Sequence, residues 1–206
     1  MIAWQVARHR AGIAGRVTDA ETGKPIAKVA VTMAEMPAAF KRTLRNASIQ
    51  YGNRWPTMVE RPDKTMTRTD GLFYFLDLPG GKYTLSASLP GSGKRYGSAQ
   101  ATVTHDAQGN LKVAMVSVAL QPTTVKGKVT GPGHKNGVPM AEVRVKGSGE
   151  RAFSDTQGHY VLAGIEPGKR TIIVFAQGYQ PASHPVLLGQ PGALETLNFA
   201  LVREAG

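Results

Sequence analysis

Thr69-Asp70-Gly71-Leu72-Phe73-Tyr74-Phe75-Leu76-Asp77-Leu78 returns further along the chain as Thr156-Gln157-Gly158-His159-Tyr160-Val161-Leu162-Ala163-Gly164-Ile165. Each stretch is a glycine turn followed by apolar residues at every second position, the period of a strand with one buried face. Working outward, Gly81-Lys82-Tyr83-Thr84-Leu85-Ser86-Ala87 matches Gly168-Lys169-Arg170-Thr171-Ile172-Ile173-Val174. Upstream, Gly15-Arg16-Val17-Thr18 recurs as Gly127-Lys128-Val129-Thr130, and Lys24 to Val31 aligns on a shared proline with Val138 to Val145. Lys112 to Leu120 matches Thr196 to Leu201. The elements keep the same order both times, so the chain reads as one module written twice.

Alternation places Val29, Val31, Phe73, Phe75, Leu85, Ala87, Val113, either Met115 or Val116, Val118 and Leu120 inside the first module. The second supplies Val143, Val145, Tyr160, Leu162, Ile172, Val174, Leu197, Phe199 and Leu201. Short alternating strands separated by turns such as Asp19 to Gly23, Asp70-Gly71 and Gln108-Gly109-Asn110 predict an all-β fold of two tandem antiparallel β-sandwiches. The expected domains are 1–121 and 122–206, joined by a short Gln121-Pro122-Thr123-Thr124 connection. With 206 residues, each half is long enough to close its own core.

Composition limits the chemistry. No cysteine is present, so disulfides, thiolate metal sites and cysteine nucleophiles are excluded. No run reaches the roughly 18 apolar residues of a membrane span, and the first ten residues read as neither signal peptide nor anchor. The net charge of +11 favours acidic partners. It is uneven: 16 basic and 8 acidic side chains up to Gln121 against 9 and 6 from Pro122 onward.

The pattern Gly15-Arg16-Val17-Thr18-Asp19, Gly23-Lys24-Pro25-Ile26 and Thr69-Asp70-Gly71 through Leu78-Pro79-Gly80-Gly81-Lys82-Tyr83-Thr84-Leu85 resembles the carboxypeptidase regulatory-like domain. The second module repeats it from Gly127 through Gly178-Tyr179, with Gln157 where the family usually has Asp. The resemblance implies a transthyretin-like sandwich of seven strands and a non-catalytic module, and it speaks for fold more strongly than for function. Two activities of similar sandwiches are disfavoured. The chain ends Leu201-Val202-Arg203-Glu204-Ala205-Gly206, without the Tyr-Arg-Gly-Ser ending of hydroxyisourate hydrolases. Lys126, Lys128 and Asn198, the candidates for a Lys–Asn isopeptide bond, alternate outward.

The modules differ by an insertion of about 27 residues in the first, at about 33–66. Pro37 is placed to start a short helix, with Phe40, Leu44, Ala47 and Tyr51 on one face and Lys41, Arg42 and Arg45 on others. The rest, Gly52 to Pro62, carries Arg54 and Trp55 and reads as an extended arm. Two readings stay open: the insertion folds back as a lid, or it meets a partner through Phe40, Lys41, Arg42, Leu44, Arg45, Tyr51, Arg54 and Trp55. Nucleic acid fits less well, because Glu35, Glu60 and Asp63 dilute the positive charge.

No catalytic, cofactor or metal site emerges. His9, His105, His134, His159 and His184 share no ligand spacing, and His105, His134 and His184 are expected as solvated loop residues. Pro90-Gly91-Ser92-Gly93-Lys94-Arg95 lacks the earlier glycine of a phosphate loop and reads as a hairpin loop. The functional expectation is a structural subunit, not an enzyme, whose partners are other protein subunits with acidic surfaces. A phage-tail-like contractile injection particle, built in the cytoplasm, is the assembly such a subunit suits. The alternative is an exported carbohydrate or cell-surface binding module, for which Tyr51, Trp55, Tyr96 and Tyr179 are the aromatics.

Overall fold

The computed structural model describes residues 9–91, 94–106 and 113–205. Ser92-Gly93 of the hairpin loop, the Gln108-Gly109-Asn110 turn and the Lys112 start of the last strand therefore lie outside the described residues. The first module runs β1 (Ala11–Asp19), β2 (Ala30–Glu35), α1 (Ala38–Tyr51), a 3-10 turn (Gly52–Thr57), β3 (Lys64–Met66), β4 (Leu72–Leu76), β5 (Gly81–Ser88), β6 (Ala99–His105) and β7 (Ala114–Leu120). The second runs β8 (Thr124–Thr130), β9 (Glu142–Val145), β10 (Arg151–Phe153), β11 (His159–Ala163), β12 (Gly168–Phe175), β13 (Ala182–Leu188), β14 (Leu194–Thr196) and β15 (Phe199–Ala200). Among the described residues, no helix is long and apolar enough to cross a membrane.

Each module is a sandwich of a three-stranded and a four-stranded sheet. The orders are β4-β1-β7 and β3-β2-β5-β6 in the first, β11-β8-β14/β15 and β10-β9-β12-β13 in the second. Since β14 and β15 pair β8 in one register, they are one strand with a break, and each sandwich has seven strands. Asn198 spans that break, its side-chain oxygen accepting the Lys128 backbone N–H at 2.9 Å. All pairs are antiparallel except that of the first and last strand, which runs parallel in both modules.

That parallel pair explains the glycine that opens each repeat. Gly15 lies opposite Val116 and Gly127 opposite Leu197, and a Cβ on either glycine would overlap the facing carbonyl oxygen. Val17 and Val129 follow two residues on and are fully buried. Around them the predicted inward residues form the two cores, with Leu197 half-buried. At the end of the first module Val116 faces in and Met115 out, and Val113 precedes the strand half-buried.

Strand registers correct the alignment of the second strand. β2 sets Val31 opposite Ala87 and β9 sets Val143 opposite Val174, so Val31 corresponds to Val143, not to Val145. One offset of 112 residues relates Gly15 to Gly127 and Val31 to Val143. It falls to 87 at Thr67 and Ser154, which makes the insertion 25 residues long rather than about 27. Thr67 and Ser154 play one part: each buried hydroxyl accepts a backbone N–H, of Val29 or Ala141, and donates to a carbonyl, of Ile26 or Val138. Gln157, where the family has Asp, is likewise compensated. Asp155 accepts the N–H groups of Gln157 and His159 at 2.8 Å, as Asp70 accepts that of Leu72. Those bonds, the one from His159 first, hold the Asp155 carboxyl below its ordinary range.

The chain divides into two compact units, 1–90 with 98–120, and 91–97 with 121–206. The tip of the β5–β6 hairpin thus belongs to the second unit. There Thr123 donates its N–H to the Arg95 carbonyl and Arg95 pairs with Glu150 at 2.7 Å. The Glu150 carboxyl is held below its usual range, mainly by the Ser148 hydroxyl. The short connection is consequently part of the fold: Thr123 and Thr124 are fully buried, and the Thr124 N–H donates to the Ala193 carbonyl.

Gly127→Ala and Gly15→Ala should each destabilise their module by about 2 kcal/mol or more in urea unfolding, as overpacking against a rigid carbonyl requires. Gly149→Ala, in open space, should change little.

Alkali should also act through two core tyrosines. Burial pushes Tyr83 up to about 12 and raises Tyr160 further, each hydroxyl donating to a carbonyl at 2.6 Å. Their folded pKa exceeds the unfolded one, so this stability is present below about pH 10 and is lost as pH climbs toward 12. An alkaline unfolding series should show that loss, and Tyr83→Phe should reduce it.

Candidate partner-binding site

The insertion begins where β2 ends. Pro37 occupies the N-cap of α1 and packs against Gly81, whose φ of 148° and missing Cβ leave room for the ring. No glycine or proline interrupts the helix, and Gly52, with φ 53°, ends it, its N–H returning to the Ser48 carbonyl. Both ends are as the sequence spacing predicts, with Pro37 one residue before the helix.

Phe40 is the anchor. It is 4% exposed and meets Tyr83 of β5 edge-on, ring centres 6.2 Å apart. It is therefore withdrawn from the expected contact residues, because its surface is spent on its own sandwich. Leu44 and Ala47, on the same face, are half-buried. The arm expected to be extended is compact: Gly52–Thr57 forms a 3-10 turn, Tyr51 stacks on Trp55 at 6.0 Å, and the Arg61 guanidinium lies 4.9 Å from the Trp55 ring. Arg61 also bonds Asp63 at 3.0 Å. The insertion thus folds back through one face and leaves the other to solvent.

That outer face is cationic. Lys41, Arg42 and Arg45 of α1, and Arg54 of the turn that follows, are exposed and form no ion pair among the described residues. From Met36 to Val59 there is no Asp or Glu. Sequence reasoning missed Ile49. It sits nine residues, two and a half turns, from Phe40, so it points opposite the anchor, one turn beyond Arg45. At 75% exposure it is an apolar centre with a cationic surround. A lone isoleucine off the apolar face was the signal available.

Beneath the helix lies a groove of about 490 Å³ lined by Phe40 and Thr43 of α1, Arg61 and Pro62, Lys64 of β3, Tyr74 to Leu76 of β4 and Asp77 just after it. His9 closes one end, bonded to Asp77 at 2.5 Å. That bond and the Arg10 N–H hold the Asp77 carboxyl below its ordinary range.

Other expected residues sit elsewhere. His105 ends β6 and is half-buried, and His184 lies exposed inside β13 opposite Ile172, so neither is a loop residue; His134 is in a turn. Tyr179, considered for sugar stacking, is a core residue at 6% exposure that bonds the Pro132 carbonyl. Lys126 and Asn198 are exposed and Lys128 half-buried. Among the described residues, no three His, Asp or Glu gather where they could hold a metal.

A family pattern matches residues 12–116 and again 124–202, one match for each module. The chain belongs to the carboxypeptidase regulatory-like domain family. No curated protein matches it. Among solved structures it is similar to the shaft pilin SpaA of Lactobacillus rhamnosus GG, at 12% identity over 97% of this chain and 99% of that one, with a TM-score of 0.41. It is similar to the Bacillus anthracis TIE protein at 11% identity and a TM-score of 0.39, covering 94% of this chain but 34% of that one. A type II cohesin–X–dockerin complex from Acetivibrio cellulolyticus matches 38% of this chain and 56% of its own, at 15% identity and a TM-score of 0.31. The chain thus spans about a third to just over half of these last two. Scores this low carry no functional weight.

Phe40→Ala should free the insertion without unfolding the sandwich. Trypsin should then cut at Lys41 to Arg54 many times faster than in the wild type, while the rest of the chain stays resistant.

Proposed function

We propose that this chain is a non-catalytic structural subunit of a large protein assembly and that the outer face of α1 is its contact surface. The observation that carries the reading is the set Lys41, Arg42 and Arg45, unpaired among the described residues, on the face of α1 that holds exposed Ile49, with Arg54 exposed in the turn that follows. Arginines beside an apolar centre are the usual composition of a protein contact, and the charge selects an acidic partner surface. Two sandwiches stiffened by buried cores suit a building part better than an enzyme. A phage-tail-like contractile injection particle, made in the cytoplasm, is the assembly we propose. Carbohydrate or cell-surface binding is the second reading, favoured by half-exposed Tyr51. Against it, Trp55 already spends its ring on Tyr51 and Arg61.

The full chain should retain tube, sheath or baseplate proteins from its native source, identified by mass spectrometry. A K41E/R42E/R45E variant should lose about nine-tenths of that capture, and added salt should weaken it. Equal capture by the variant would refute the surface, and a monomer that binds a glycan array instead would favour the second reading.

A further inference from the structure

The groove adjoins an open strand edge. β4 is the outer strand of its sheet and, among the described residues, pairs with β1 alone. The bond from Val17 N–H to the Gly71 carbonyl, 2.9 Å, sets the phase of that ladder. The Gly71 carbonyl and the backbone groups of residues 73 and 75 turn toward β1, and those of 72, 74 and 76 turn away. Leu72 is capped: its carbonyl accepts the Arg68 N–H at 2.9 Å and its N–H donates to Asp70 at 3.0 Å. Tyr74 and Leu76 have no backbone partner on that side among the described residues. Both line the groove, opposite Phe40 and Pro62.

The second module has the same edge without the insertion. There Asp155 N–H caps His159 and Val161 takes the place of Tyr74, but no insertion stands beside β11. The insertion is what adds an apolar wall to an ordinary edge. Unpaired amides beside such a wall are complementary to an extended polypeptide. Charge selects the kind. Arg61 is neutralised by Asp63 and His9 is bound to Asp77, which leaves Lys64 on the wall and Arg68 over the Tyr74 ring at 5.2 Å, against one unpaired carboxylate, Glu60.

We propose that the groove beside β4 binds an extended segment of another polypeptide, which adds a strand through the backbone of Tyr74 and Leu76, rests an apolar side chain against exposed Pro62, and carries flanking carboxylates. This deepens the partner-binding reading and rests on it, yet it uses a different surface from the outer face of α1.

The probe is a fluorescein-labelled peptide Glu-Val-Thr-Val-Thr-Glu titrated against the full chain, with Lys-Val-Thr-Val-Thr-Lys and poly-glutamate as comparisons. The acidic strand peptide should bind at least about ten-fold more tightly than either. Tyr74→Pro removes one edge N–H and should weaken it about ten-fold, whereas Tyr74→Ala keeps that N–H and should lose less. With the unaltered protein, hydrogen exchange should slow at Tyr74 and Leu76 on adding peptide. Unchanged exchange at both residues, or equal binding of poly-glutamate, overturns the proposal. So does displacement of the peptide by a single-stranded oligonucleotide through a site insensitive to Tyr74→Pro. K41E/R42E/R45E should leave peptide binding within about three-fold, so that failure of the helix surface and failure of the groove are told apart.

Discussion

The parallel pairing of first and last strands governs this protein. In a chain built of antiparallel neighbours, closing each three-stranded sheet requires the end of the module to return beside its beginning, in the same direction. At the middle of that contact the backbones come so close that only glycine fits, at Gly15 and again at Gly127. The apolar residues two places either side of the glycine, Ile13 and Val17 in one module and Val125 and Val129 in the other, then face the core, and the alternation of every other strand is set against them. The repeat visible in the sequence is the trace of this constraint.

Much of that was legible, and the misses have physical reasons. Strand identity and facing follow from alternation, which is why the inward residues were right on nearly every strand. Alternation is blind to a slip of two residues, because such a slip returns each side chain to the same face. Pro25 and Pro139 invited that slip, and only the ladders show that Val31 answers Val143. The hydroxyls of Thr67 and Ser154 were invisible because their partners are main-chain groups roughly 13 to 41 residues away. His184 looked like a loop residue because it precedes a proline, but β13 is an outer strand, where proline is tolerated.

The insertion shows the same division. Helical spacing identified the helix and the face that carries Phe40, since both are local properties. Of the two readings, the lid describes the face that carries Phe40, and contact with a partner is what we propose for the opposite face. The groove was not legible, because its walls come from α1, β3 and β4, which the fold alone brings together. Nor could spacing show that Tyr74 and Leu76 keep open backbone groups, a matter of ladder phase rather than of residue type.

Parallel first and last strands also have a mechanical meaning. The chain enters each module at one pole of the sheet and leaves at the other. Tension between the two ends therefore slides β1 along β7, and β8 along β14 and β15, instead of peeling them apart. In peeling, hydrogen bonds break one after another; in shear, all the bonds of the seam bear the load together. Over the seven residue pairs from Ile13 to Asp19, the same geometry that demands a glycine makes such tension load the bonds of the seam together rather than in turn.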